Sequence, residues 1–181
     1  HYRKGNDFQE LERTAKGISE LLLSIQNFYE IDMHTLKQDT FTYTISYDNR
    51  IQFPNYQKEL DVIRIKLAAV QDETKKKLLL SSRDKLESKL KIDRVHKELT
   101  LTLLRFPDIL IVTFPGELTS VFGKYIKATS KAPHTIIMTC TNDHHGYFLE
   151  QEQYGRCYES TATLIPEGET EKMIKELGEY L

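Results

Sequence analysis

Two apolar runs that stop abruptly constrain this chain more than anything else in it. Ile109-Leu110-Ile111-Val112-Thr113-Phe114 breaks into Pro115-Gly116-Glu117. His134-Thr135-Ile136-Ile137-Met138-Thr139-Cys140 breaks into Thr141-Asn142-Asp143-His144-His145-Gly146-Tyr147. Both runs are short, rich in β-branched and aliphatic side chains, and bounded by turn residues. With a helical pattern between them, from Leu118 to about Thr129, they predict neighbouring parallel strands of a βαβ unit. Ligands of open α/β sheets gather outside the carboxyl ends of the strands. Both breaks lie at such ends, and both are dense in groups that bind metal or move protons.

The remaining segments fit around that unit. After a polar lead, His1 to Asn6, the residues Phe8, Leu11, Ala15, Ile18, Leu22 and Ile25 line one face of a helix that Asp7 is placed to cap, and that face is expected to pack on a sheet. Asp39 to Tyr47 alternates as a strand, with Phe41, Tyr43, Ile45 and Tyr47 on one side. Asp48-Asn49-Arg50 reads as a turn into a further extended piece, Ile51 to Phe53, ending at Pro54. Leu99 to Leu104 predicts a strand that turns through Phe106-Pro107-Asp108 into Ile109 as an antiparallel hairpin. Ser160 to Ile165 reads as a short extended piece, and Met173, Ile174 and Leu177 mark a closing helix.

Between the early strand and that hairpin, residues 55–97 form a polar, helical excursion. Leu60, Ile63, Leu67 and Val70 make one amphipathic face, and Leu78, Leu79, Leu86, Leu90 and Val95 a second, with a break near Gln71 to Thr74. Lys75-Lys76-Lys77 is flanked by acidic residues and reads as a solvated helix face. The expected fold is therefore α/β: a mixed β-sheet with flanking helices and a helical excursion, residues 1–181 forming one unit of a larger α/β domain.

Composition sets the outer bounds. A chain of 181 residues with 39% hydrophobic content can bury one sizeable core. Its formal net charge of -2 provides no general attraction to nucleic acid. Cys140 and Cys157 are too few for a disulfide framework, and Cys140 reads as a buried strand residue. No apolar run approaches the ~20 residues that span a bilayer. The compartment is not legible in the chain.

Individually, the polar groups at the strand ends have ordinary readings. Glu117 in a first helical turn complements the helix dipole, or it is a metal ligand or general base beside a glycine that admits close approach. His144-His145 is a solvent-facing pair or part of a site. Tyr147, Tyr154 and Tyr158 are packed aromatics or phenols aimed into a cleft. His34 and His96 lack glycine-rich flanks and receive no role. The shared location of the first group at two strand ends favours one site.

In this order, Phe114-Pro115-Gly116-Glu117, Gly123, Asn142, Gly146-Tyr147, Tyr154 and Tyr158-Glu159 resemble the carboxyl-terminal half of the catalytic domain of neutral/alkaline, non-lysosomal ceramidases and their bacterial relatives. The helix at Asp7 to Ile25 resembles that family more loosely. The resemblance implies a zinc-dependent amide hydrolase acting on an N-acyl small-molecule or lipid substrate. It implies Glu117 and Tyr147 as zinc ligands and Tyr158 as the donor that stabilises the oxyanion, with a one-residue deletion before Tyr158, and on this reading the three side chains are expected to converge on one cleft at the strand ends. A carboxylate and a phenolate are oxygen donors suited to zinc, and a phenol hydrogen suits a developing oxyanion. Nothing from His1 to Leu104 reproduces the family's two zinc-binding histidines or its Gly-Asp-x-Ser-Pro nucleophile loop. The chain is therefore expected to hold half a zinc site, to depend on a missing amino-terminal part, and to be inactive alone. A competing expectation is a non-catalytic α/β interaction module that uses the helical pair at 55–97, with an apolar patch along Leu78, Leu86 and Leu90.

Overall fold

The computed structural model describes residues 7–181 except 27 and 29, so the expected polar lead, His1 to Asn6, lies outside the described residues. The chain divides into two compact units, His1–Ile31 and Asp32–Leu181. In the first unit, helix α1 (Phe8–Leu23) begins where Asp7 accepts a hydrogen bond from the Glu10 amide at 2.8 Å. Within this unit the described residues leave its apolar face uncovered. No residue of α1 is buried, and Phe8 and Leu23 are more than four-fifths exposed. Periodicity identifies which face is apolar but carries no information on what covers it.

The second unit is α/β with a mixed sheet. Strands β1 (Lys37–Asp48) and β2 (Arg94–Arg105) pair antiparallel along their whole length, and β2 pairs antiparallel with β3 (Ile109–Thr113). β3 in turn pairs in parallel with β5 (His134–Met138), giving the order β1-β2-β3-β5. The alternation in β1 buries Phe41, Tyr43 and Ile45 and exposes the threonines between them. β3 is apolar almost throughout because all but one of its positions are buried.

Helix α4 (Ser120–Thr129) makes the crossover from β3 to β5, and helix α6 (Glu169–Tyr180) closes the chain. Phe122 and Ile126 of α4, and Met173, Ile174 and Leu177 of α6, join Leu99, Leu101, Leu103, Leu110 and Val112 in one core. Complete burial of side chains of this size is worth about 1.5–3 kcal/mol each.

Three local expectations are corrected. Ile51 to Phe53 is not extended: Asp48 accepts from the Arg50 amide at 3.0 Å and starts a 3-10 turn over Asn49–Gln52. Helix α2 (Phe53–Ala69) follows directly, with Pro54 in the first turn, where its missing N–H is no loss. Ser160 to Ile165 is not an extended piece either, because helix α5 (Tyr158–Ala162) occupies its first half. There Ser160 Oγ donates to the Cys157 carbonyl at 2.8 Å and Thr161 Oγ1 to the Tyr158 carbonyl at 2.7 Å, bending the chain back on itself. Cys140 is exposed, with φ of 53°, because β5 ends at Met138 and the chain has already turned.

The excursion is a pair of helices, α2 and α3 (Glu73–Lys89), separated at the expected break. Leu60 and Ile63 meet Leu86 in a small core of their own, on which Leu79 and Leu90 pack. The apolar patch expected along Leu78, Leu86 and Leu90 therefore does not form, since Leu86 is fully buried and of the three only Leu78 is exposed. Asn49 fastens the pair to the sheet. Fully buried, it donates to the carbonyls of Lys89 (3.0 Å) and Ile92 (2.7 Å) and accepts from the hydroxyls of Tyr56 (3.0 Å) and Tyr47 (3.3 Å).

Candidate functional site

The two breaks after β3 and β5 are tied together by backbone. Phe114 N donates to the Met138 carbonyl at 2.7 Å, Cys140 N to Gly116 at 3.0 Å, Thr141 N to Phe114 at 3.0 Å and His145 N to Pro115 at 2.8 Å. Beyond them lie two very short strands, β4 (Glu117–Leu118) and β6 (Tyr147–Phe148), which pair in parallel with Glu117 opposite Tyr147. Glu117 N donates to the Gly146 carbonyl at 2.9 Å. Beneath this pair Phe114 and Phe148, both fully buried, pack edge to face with ring centroids 4.7 Å apart.

Glu117 and Tyr147 are thus neighbours, as two ligands of one ion would have to be. Burial, and then the hydrogen bond and charge of Glu117, push the Tyr147 phenol above its ordinary pKa. His144 Nε2 stands 3.7 Å from Glu117 Oε1. His145 turns the other way, with Nε2 2.9 Å from Asp143 Oδ2 and Nδ1 3.5 Å from Lys97 Nζ. Glu117 and Tyr147 line a cleft of about 420 Å³ with Glu150, Cys157 and Glu159. Three carboxylates around one opening favour a cation over an anion.

Tyr158 is placed differently. It does not line that cleft. Its phenol lies against α3, where Lys85 Nζ donates to it and Ser81 Oγ stands 3.4 Å away. Lys85, and then Ser81, hold this phenol below the ordinary tyrosine pKa. Tyr158 instead borders a groove between α2 and α3, of about 390 Å³, whose lining includes Cys157 as the cleft's does. Cys157 therefore marks where the two openings meet.

Two other residues grouped with the site by sequence are structural. Tyr154 donates to the Ile165 carbonyl at 2.8 Å, and Asn142, at φ of 71°, donates to Thr102 Oγ1 and Thr113 Oγ1 at 3.2 and 3.3 Å. Lys85 had no signal in the sequence, being one lysine among many on a charged helix. Among the described residues no three His, Cys, Asp or Glu side chains are grouped so as to hold a metal ion. No described helix is long and apolar enough to cross a membrane. No known protein family, curated protein or solved structure matches the chain.

Proposed function

We propose that this chain is the carboxyl-terminal part of the catalytic domain of a zinc-dependent amide hydrolase of the neutral/alkaline ceramidase kind, acting on an N-acyl substrate. The observation that carries the proposal is the side-by-side placement of Glu117 and Tyr147 beyond the ends of two parallel strands, in an acidic cleft. Their oxygens are chemically suited to zinc, with His144 the nearest nitrogen donor. As two ligands they make half a site, and the histidines and nucleophile loop come from the missing amino-terminal part. When bound, zinc would polarise the amide carbonyl and lower the pKa of a bound nucleophile. Glu117 and Tyr147 would orient the ion, and Tyr158, next to Cys157 where the cleft meets the groove, would donate to the oxygen that gains charge during acyl transfer once its phenol turns from Lys85 toward the cleft.

A second reading draws on a separate observation. Val62, Ile65 and Leu78 are about half exposed or more on the helical pair, as the contact surface of a non-catalytic interaction module would be. Metal content of the longer parent protein separates the two. Elemental analysis should find about one zinc per parent chain, lost or greatly weakened in Glu117→Ala and reduced in Tyr147→Phe. A metal-free parent that is indifferent to both substitutions would remove the hydrolase reading and leave the interaction module.

A further inference from the structure

We propose that the cavity walled by the first turns of α2, the end of α3 and the segment around Tyr154 and Ile165 binds a small zwitterion, an α-amino acid with an apolar side chain, whose carboxylate meets Lys89 and whose ammonium meets Glu59. This cavity, of about 340 Å³, shares no lining residue with the cleft of Glu117 and Tyr147, so the site holds under either reading of the function.

Two opposite charges face this cavity without meeting. Lys89 is only 5% exposed, and its ammonium carries three hydrogens. One goes to the Ser160 carbonyl at 2.9 Å, and Nζ stands 5.0 Å from the centroid of the Tyr56 ring. Ser160 and Tyr56 both line the cavity, which puts the charged end of Lys89, and not merely its methylenes, at the wall. No second acceptor reaches Nζ among the described residues. Glu59, half-buried on α2, lines the same cavity, and among the described residues its carboxylate takes part in no hydrogen bond or ion pair. It acts on Lys89 through charge but does not touch it. Burial raises the pKa of the Glu59 carboxyl and lowers that of Lys89 to about 8, with Lys85, one turn earlier on α3, adding to the lowering. Each charge is thus too far from the other to offset the cost of burying both, and a ligand bearing the two complementary charges would offset it.

The rest of the wall selects the side chain. Tyr56 donates its phenol hydrogen to Asn49 Oδ1 at 3.0 Å, and Tyr154 donates its own to the Ile165 carbonyl at 2.8 Å. Neither phenol has a hydrogen left for a ligand, so both offer ring carbon, and Ile165 and Pro166 add aliphatic surface. The volume lies in the range of small-molecule sites, with a few polar groups set in carbon surface. The remaining charged residues of the wall, Lys58 and Glu167, are exposed and stay hydrated, so they discriminate little. A ligand with a single charge would leave either Lys89 or Glu59 unmet, and that asymmetry makes the site specific for a zwitterion.

Isothermal titration calorimetry on this chain tests the site, with leucine and phenylalanine as probes. At least one of them binds saturably, and Lys89→Met and Glu59→Gln each weaken that binding by roughly tenfold or more. Isocaproate and isoamylamine, which are leucine without its ammonium and without its carboxylate, bind weaker than leucine by roughly the same factor, as do hydrocinnamate and phenethylamine against phenylalanine. A carboxylate beside Lys89 raises its pKa from about 8, so binding near pH 8 takes up protons and the measured heat varies with the buffer. Lys89→Met abolishes that uptake. The absence of saturable binding by both amino acids overturns the proposal. So does binding that survives either substitution, or a carboxylate analogue that binds as tightly as its amino acid, because the site would then be one for anions. Glu59 is half-buried, so Glu59→Gln retains the fold and decides the matter even where Lys89→Met does not fold.

Discussion

Gly116 lies against Gly146 so closely that a Cβ on Gly116 would stand 2.5 Å from the Gly146 carbonyl oxygen and 2.6 Å from the ring of Phe148. That carbonyl accepts the Glu117 amide and sets the register in which Glu117 meets Tyr147. The glycine is therefore what allows the two strand ends to touch. Gly116→Ala is expected to destabilise the chain by about 1–3 kcal/mol, because the obstacle includes backbone and a fully buried ring. Chemical denaturation would show it as a lower midpoint with an unchanged slope.

A second expectation concerns the support under the same pair. Phe148→Ala removes a fully buried ring and its edge-to-face partner contact with Phe114, which should cost about 3–5 kcal/mol. Phe148→Leu should cost clearly less. Equal losses in the two variants would mean that the ring contact with Phe114, and not the volume filled, carries the whole effect.

Asn49 gives a third. It is fully buried and uses its side-chain amide and oxygen on four partners from the end of β1, α2 and the end of α3. Asn49→Ala leaves the Lys89 and Ile92 carbonyls and the Tyr47 and Tyr56 hydroxyls without it, for an expected loss of about 2–4 kcal/mol. Hydrogen exchange should then rise across α2 and α3 more than across β2 and β3. A uniform rise would show that the helical pair and the sheet unfold as one.

Lys89 supplies a pH dependence. Its side chain is buried, with Nζ donating to the Ser160 carbonyl at 2.9 Å, and burial pushes its pKa down to about 8. The folded pKa lies below the unfolded one of about 10.4, so the unfolded chain binds more protons between the two values and stability rises with pH there. Wild type should gain about 1–2 kcal/mol relative to Lys89→Met between about pH 7.5 and pH 9.5, a range below the ordinary titration of tyrosine. Parallel stability curves for the two proteins would show that Lys89 keeps its charge at no cost in the fold.

Much of the fold was legible wherever a period ran long enough to be read. The β2–β3 hairpin, the parallel β3 and β5 with α4 between them, the break between α2 and α3, and the buried face of α6 all carry apolar residues at strand or helix spacing. What escaped was short or decided by hydroxyl and carboxylate side chains. β4 and β6 have two residues each, too few to show alternation, although they hold Glu117 beside Tyr147. The turn after Asp48 and the helix at Tyr158 are set by local side-chain hydrogen bonds rather than by hydrophobic spacing. The position of Tyr158 depends on Lys85, seventy-three residues earlier, and no local pattern announces such a pairing.

The sheet ends at β5, a strand whose sequence suits burial on both sides yet whose Ile136 and Met138 are each 46% exposed. Among the described residues, nothing pairs with its outer side, so a row of amide and carbonyl groups stands open beside apolar side chains. Such a rim is a template for strand addition. A charge placed on β5, or a short peptide that caps it, is expected to reduce self-association of the chain, read by light scattering, without altering its melting temperature.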